Sequence, residues 1–188
     1  MQPVKTKTNK SKRAKKAAKL LWVDLEMTGL DLKKDKIIEV AAIATDWQLN
    51  EVATYTATIK RSEKFLRRRM TGDFWEKNSF ARRALIEQNA QGKWSFLIER
   101  ELLNFIDKNF EDEVYLAGNS IHNDRNFIKR AWKRLDARLH YRMLDVTAWK
   151  IYFENVKKIK FSKPEEHRAL DDVRGSIDEF KYYLKKIK

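Results

Sequence analysis

The chain has 188 residues, 43% of them hydrophobic and 12% aromatic, enough for one domain with a substantial core; global disorder is excluded. It has no cysteine, which excludes a disulfide scaffold and thiolate metal centres and allows a reducing compartment. No stretch nears the roughly 18 apolar residues of a membrane span and no secretory leader is visible, so no membrane partner and a cytoplasmic location are expected. The net charge of +14 points to polyanionic partners.

In chain order, residues 1–19 come first, with eight Lys or Arg and no acid, and read as a disordered basic arm. Such an arm adds affinity for nucleic acid without choosing a sequence. A mitochondrial presequence would favour Arg and Ser, whereas this stretch is mostly Lys. The domain then runs from residue 20 to 188. Residues 20–26 read as a buried strand, and Met27-Thr-Gly-Leu30 turns the chain, with Gly29 available for a positive φ. Residues 36–45 and 52–59 read as two further strands, whose short links favour an antiparallel meander. Helices are expected over 79–88 and over 93–109, the latter with Trp94, Ile98, Leu102, Phe105 and Ile106 on one stripe. A short strand over 114–117 precedes a helix over 123–135, with Phe127, Ile128, Ala131, Trp132 and Leu135 facing inward. A fifth strand is expected over 143–146, a helix over 147–153, a basic loop over 157–164 and a last helix over 169–185. That helix carries Leu170, Val173, Ile177, Phe180 and Leu184 at spacings of three and four. Antiparallel strands first and helix-linked strands later give an α/β fold, a mixed five-stranded sheet flanked by helices.

Asp24-Leu-Glu26 places two carboxylates on one face of the first strand, beside Leu20 and Trp22. Like charges there are tolerable at a strand's end or with a cation between them. Asp124 falls in the first turn of its helix, three and four residues before Phe127 and Ile128, and so shares their inward face. In isolation it also suits a helix N-terminus, as His167 suits a cap and Asp171 a solvent-facing acid. His167-Arg-Ala-Leu-Asp-Asp172 closes the set with His-x4-Asp at the start of the last helix. Each fragment is weak alone, but the ordered set is specific. Four oxygen donors without thiolate suit Mg2+ or Mn2+, two of which would clamp an in-line displacement at phosphorus. A nearby neutral His can take a proton from water.

This set resembles the DEDDh branch of 3′-to-5′ exonucleases, with a ribonuclease H-like fold, and more narrowly the oligoribonuclease family. The matching segments are Leu21-Trp-Val-Asp-Leu-Glu-Met-Thr-Gly-Leu30, Lys36-Ile-Ile-Glu-Val-Ala41, Ala117-Gly-Asn-Ser-Ile-His-Asn-Asp124, His140-Tyr-Arg-Met-Leu-Asp-Val146 and His167-Arg-Ala-Leu-Asp-Asp172. The resemblance implies Asp24, Glu26, Asp124 and Asp172 as metal ligands, His167 as general base, and Tyr141 reaching the partner's active site in a homodimer. It implies Met27, Thr28, Leu30, Trp75, Asn119, Ser120, Arg142 and Thr147 as substrate contacts, with Leu30 a wedge, Trp75 a wall, and Arg142 and Thr147 near the 5′-phosphate. Unaided, Leu30 reads as core, Arg142 as a surface cation and Tyr141 as a half-buried aromatic. Phe80 stands where the family usually has a pocket His; it can stack on a base but cannot donate a hydrogen bond. Glu39, an acid in a buried-looking strand, reads as structural. The implied activity is hydrolysis of short RNA, down to dinucleotides, to 5′-mononucleotides. A broader exonuclease on longer RNA or DNA and a non-catalytic RNA-binding module are the alternatives.

Overall fold

The computed structural model describes residues 17–162 and 168–187. Most of the basic arm, the end of the loop over 157–164 and His167 lie outside the described residues. The sheet has strands β1 (Ala18–Met27), β2 (Ile37–Thr45), β3 (Glu51–Thr58), β4 (Phe110–Gly118) and β5 (Leu139–Asp145), in the order β3-β2-β1-β4-β5. β1 pairs antiparallel with β2, and β2 with β3; β4 pairs parallel with both β1 and β5. The result is the expected α/β fold with a mixed five-stranded sheet. β1 begins inside the stretch assigned to the arm: Ala18 is buried, and Lys19 Nζ meets Asp112 Oδ2 at 3.0 Å.

Alternation along β1 sorts its side chains into two cores. Leu21, Val23 and Leu25 pack with Ile98, Leu102 and Ile106 of α4 (Ser95–Asn109) and with Phe127 and Ile128 of α5 (His122–Ala131). Leu20 and Trp22 pack with Val173, Ile177 and Phe180 of α8 (Ala169–Lys185). Asp24 and Glu26 continue this second row past the point where the apolar packing stops. β2 is buried along its whole length, as a strand covered on both faces should be.

Three further helices precede α4: α1 (Glu63–Arg69), α2 (Asp73–Lys77) and α3 (Ser79–Gln88). The first two are absent from the sequence expectation because elements of seven and five residues are too short to show periodicity. Ser62 caps α1 by accepting from the Phe65 N–H, and three arginines fill its last turn, where cations offset the helix dipole. Trp94 precedes α4 and is exposed rather than on its buried stripe.

The helix expected over 123–135 is two helices, α5 and α6 (Lys133–Asp136), broken at Trp132. The buried Trp132 indole donates to Ser95 O at 3.1 Å and Ser95 Oγ at 2.9 Å, tying the break to the start of α4. Ala131 is exposed as a consequence of the break. α7 (Val146–Tyr152) runs into a π-helical turn, Phe153–Lys157. On α8 the last inward position belongs to Tyr183, and Leu184 is exposed.

Trp132→Ala should destabilise the fold by about 3–5 kcal/mol, as for other buried aromatic truncations. Trp132→Phe, which keeps much of the volume but loses both hydrogen bonds, should cost about 1–3 kcal/mol. Urea unfolding of the two variants measures the difference.

Candidate active site

The parallel strands β1, β4 and β5 end on the same edge of the sheet, and the candidate residues gather there, as expected for α/β sheets. β4 pairs with β1 only as far as Trp22↔Ala117, so β1 projects beyond its neighbour. The Leu25 N–H, left without a strand partner on that side, donates to Asp124 Oδ1 at 3.0 Å. This contact seats the buried Asp124, in the first turn of α5, against β1.

Asp24, Glu26 and Asp172 each offer a carboxylate oxygen, and the three oxygens lie within 4.8 Å of one another. Asp124 stands outside this trio but within electrostatic reach. Burial pushes its carboxyl well above the usual range, and the charge of Asp24 adds to the effect. Glu26 is raised to about 9, first by burial, then by Asp24, Asp172 and Glu39; Arg168 opposes the shift. Crowded, partly desolvated oxygen donors of this kind fit a divalent cation, whose charge would relieve the repulsion.

Asp172 is positioned through the N-terminus of α8. Glu39 of β2 accepts from the Ala169 N–H at 3.3 Å, from Arg168 Nη2 at 3.0 Å and from Gln88 Nε2 at 3.1 Å. The acid read as structural therefore acts as an anchor for the helix that carries a candidate ligand.

Beside Glu26 lies a cleft of about 530 Å3, lined in part by Met27, Thr28, Leu30, Phe74 and Trp75. Trp75 is buried and donates from its indole to Thr28 O at 3.0 Å, which fixes the wall. Leu30 is 73% exposed, so its unaided assignment to the core is corrected. Thr28 Oγ1 donates to the buried Asp35 at 2.9 Å. Asp35 also pairs with Arg69 of α1, with Nη2 at 2.8 Å, and accepts from the Asp31 N–H at 2.9 Å. This box holds the 27–30 turn. Gly29 is needed there for space and not for a positive φ, because a Cβ would come within 2.6 Å of Asp35 Oδ2. Neither Asp35 nor Arg69 carries a signal in a single sequence that would single it out.

Phe80 is 86% exposed at the start of α3 and is not among the residues that line this cleft. Asn119, Ser120 and Thr147 line a separate pocket of about 350 Å3 with Lys150, Glu154 and Glu179. Asn119 Nδ2 donates to Ser176 Oγ and Glu179 Oε2, and the Ser120 N–H donates to Asp145 Oδ1 and Thr147 Oγ1. Tyr141 and Arg142 lie apart, on the edge strand β5. Tyr141 is 71% exposed, which corrects the half-buried reading, and the Arg142 guanidinium sits 5.3 Å from its ring centre. His167 lies outside the described residues, so its relation to the trio is not described.

A family model described as RNase_T, Exonuclease, matches residues 21–74 and 76–180. The oligoribonuclease of Dichelobacter nodosus is 38% identical over 171 residues, covering 89% of this chain and 94% of the relative. That of Francisella tularensis subsp. novicida is 39% identical over 177 residues, covering 91% and 97%. The chain belongs to the oligoribonuclease family of exonucleases. Solved structures share the fold at lower identity. Exonuclease I from Methylocaldum szegediense superposes with a TM-score of 0.60 at 18% identity, covering 89% of this chain and 40% of that one. E. coli exonuclease I in complex with a 5cy-dT13 oligonucleotide gives 0.63 at 14%, covering 92% and 41%. This chain thus spans about two fifths of those exonuclease I chains. Among the described residues, no helix of this oligoribonuclease relative is long and apolar enough to cross a membrane.

The raised Glu26 carboxyl has a signed consequence for the metal-free protein. The folded state holds this proton up to about pH 9, while the unfolded chain releases it near the ordinary value of 4.5. Its contribution to stability is therefore largest below pH 4.5 and is lost as pH rises through about 9. Melting temperature measured without metal should fall across that window, and Glu26→Gln should flatten the fall. Addition of Mg2+ near pH 8 should restore stability to the native protein and little to Glu26→Gln.

Proposed function

We propose that this exonuclease shortens RNA from its 3′ end, prefers very short chains down to dinucleotides, and releases 5′-mononucleotides. We assign two Mg2+ or Mn2+ ions to Asp24, Glu26, Asp124 and Asp172. When bound, such ions make water nucleophilic and stabilise the leaving oxygen. The observation that carries the proposal is the trio of carboxylates, one of which, Glu26, also lines a cleft with the aromatic Phe74 and Trp75. A base entering that cleft meets Trp75 and Phe74 on one side and the exposed Leu30 at the rim, which brings a phosphodiester beside Glu26. The names of the relatives support RNA as substrate.

His167 is assigned as the base from its place in the His-x4-Asp motif. Asn119, Ser120 and Thr147 are assigned to the 5′-phosphate, with Lys150 adding a cation to their pocket. Arg142 is assigned to the same phosphate in the partner subunit's site, together with Tyr141 acting in trans. Three features support a homodimer: β5 is an edge strand, Tyr141 projects from it, and Ile151, Tyr152 and Val156 expose a nearby apolar row in sequence. The proposed location is the cytoplasm.

The decisive experiment is cleavage of a labelled RNA series, from dinucleotide upward, in Mg2+ and in Mn2+. Rates should be highest on the shortest chains, and Asp24→Ala should abolish them while remaining folded. A folded Asp24→Ala enzyme with near-native turnover would refute the metal assignment. His167→Ala should slow turnover by about 100- to 10,000-fold, the usual cost of a lost acid–base group.

Dimer assembly has its own test. Mixing inactive Asp124→Ala with inactive Tyr141→Ala should restore part of the activity, because one site in each mixed dimer regains a full set. A fully active monomer in sedimentation experiments would count against Tyr141 acting in trans.

A further inference from the structure

A second cleft, of about 560 Å3, is lined by Lys36, Arg61, Arg130 and Lys133, with Asp35, Ser95 and Phe127 among the remaining walls. The two clefts meet at one ion pair: Asp35 faces the second, and its partner Arg69 faces the first. Asp35 is already neutralised by Arg69 and by donation from Thr28 and Asp31. Among the described residues, no carboxylate forms a salt bridge with Lys36, Arg61, Arg130 or Lys133. The Arg61 guanidinium is held rigid by donation to Ile37 O at 3.2 Å and 3.3 Å. Four cations thus line one concavity whose lining carboxylate, Asp35, is already paired with Arg69.

Two exposed aromatic residues adjoin one of its lining residues in sequence. Trp94 and Phe96, the chain neighbours of the lining Ser95, are 59% and 66% exposed. Lys60 Nζ, next in sequence to the lining Arg61, lies 6.0 Å from the centre of the Trp94 ring. Phosphate-binding cations next to exposed ring faces are the combination that holds single strands without regard to sequence.

We propose that this second cleft binds the phosphodiester backbone of single-stranded RNA that extends beyond the active-site cleft, with Trp94 or Phe96 stacking on a base. The proposal rests on the assignment of RNA as substrate. The cleft then makes longer chains bind well without making them react faster, because its contacts lie away from the carboxylate trio.

The test compares the native chain with a double variant, Arg130→Glu with Lys133→Glu, and with Trp94→Ala. Both charged side chains are exposed, and among the described residues Arg130 makes one side-chain hydrogen bond, to Lys33 O at 3.4 Å, and Lys133 none, so folding should survive; thermal melts verify this. Binding of a fluorescent RNA dodecamer is measured in EDTA over a salt series, and hydrolysis of a dinucleotide in Mg2+. The double variant should bind the dodecamer at least about tenfold more weakly, and its salt slope should drop by about 1.4, from two lost phosphate contacts at about 0.7 each. Trp94→Ala should weaken binding with the salt slope unchanged. Dinucleotide hydrolysis should be native in both.

Unchanged dodecamer binding in the double variant would overturn the proposal. So would an equal loss on the dinucleotide, which would make the cleft part of the active site. A 5′-mononucleotide that binds the cleft as tightly as the dodecamer would reassign it to free nucleotides. If the native protein failed to hydrolyse the dinucleotide, the proposed activity would fall while the metal-free binding result stood on its own.

Discussion

Like charge crowded at the end of β1 is the constraint around which the neighbouring structure is arranged. Asp24, Glu26 and Asp172 approach within 4.8 Å of one another, and the buried Asp124 stands close enough to feel Asp24. Left to themselves such groups would move apart. Each is instead fixed through its backbone or by a contact outside the cluster. The pairing of β1 with β2 sets Asp24 and Glu26, the unpaired Leu25 N–H seats Asp124, and Glu39 clamps the start of the helix that carries Asp172. Held in place, the acids answer the crowding by keeping protons: burial and neighbouring charge raise the carboxyls of Glu26 and Asp124. The geometry these carboxylates would offer a cation thus depends on Leu25, Ala169 and Arg168 as well as on the acids themselves.

The cores explain how the fold tolerates that load. β2 is buried from end to end, and the two faces of β1 pack on different helices, so the carboxylate end projects from a region with no freedom to slide. A one-residue register slip would send Asp24 and Glu26 to the face occupied by Ile98 and Phe127 and bury two charges in an apolar core. Register and site geometry are therefore enforced by the same term.

Much of this was legible in the chain because the strong elements carry strong periodicity. The strands that form the meander, the helix Ser79–Gln88 and the helix Ala169–Lys185 follow from apolar spacing alone. The illegible parts have physical reasons. β4 starts at Phe110, but its Glu111-Asp-Glu113 run is exposed and hides the strand from any search for alternation. α1 and α2 are too short for a stripe, although the Ser62 cap was available as a signal. The break at Trp132 comes with no Gly or Pro; it accompanies a long-range hydrogen bond to Ser95. Leu30 looks apolar enough for the core and is exposed, because the Thr28–Asp35–Arg69 box turns the chain outward just before it. The acids of the trio were readable as an ordered set, whereas Asp35, Arg69 and Arg168 support them through contacts between residues far apart in sequence.

That supporting layer also links the two clefts. Asp35 is a single buried carboxylate that orients the 27–30 turn on one side and stands, already neutralised, in the wall of the basic cleft on the other. Were it unpaired, it would repel a phosphate from the second cleft and release the turn that shapes the first. Arg69 prevents both, since its guanidinium supplies the charge and two donors, at 2.8 Å and 2.9 Å, to the same oxygen. A lysine there would keep the charge but not the paired donors, so the turn would lose definition while the basic cleft kept its field. The pair thus serves both clefts at once: it holds the turn that shapes the first and cancels the one carboxylate charge in the wall of the second.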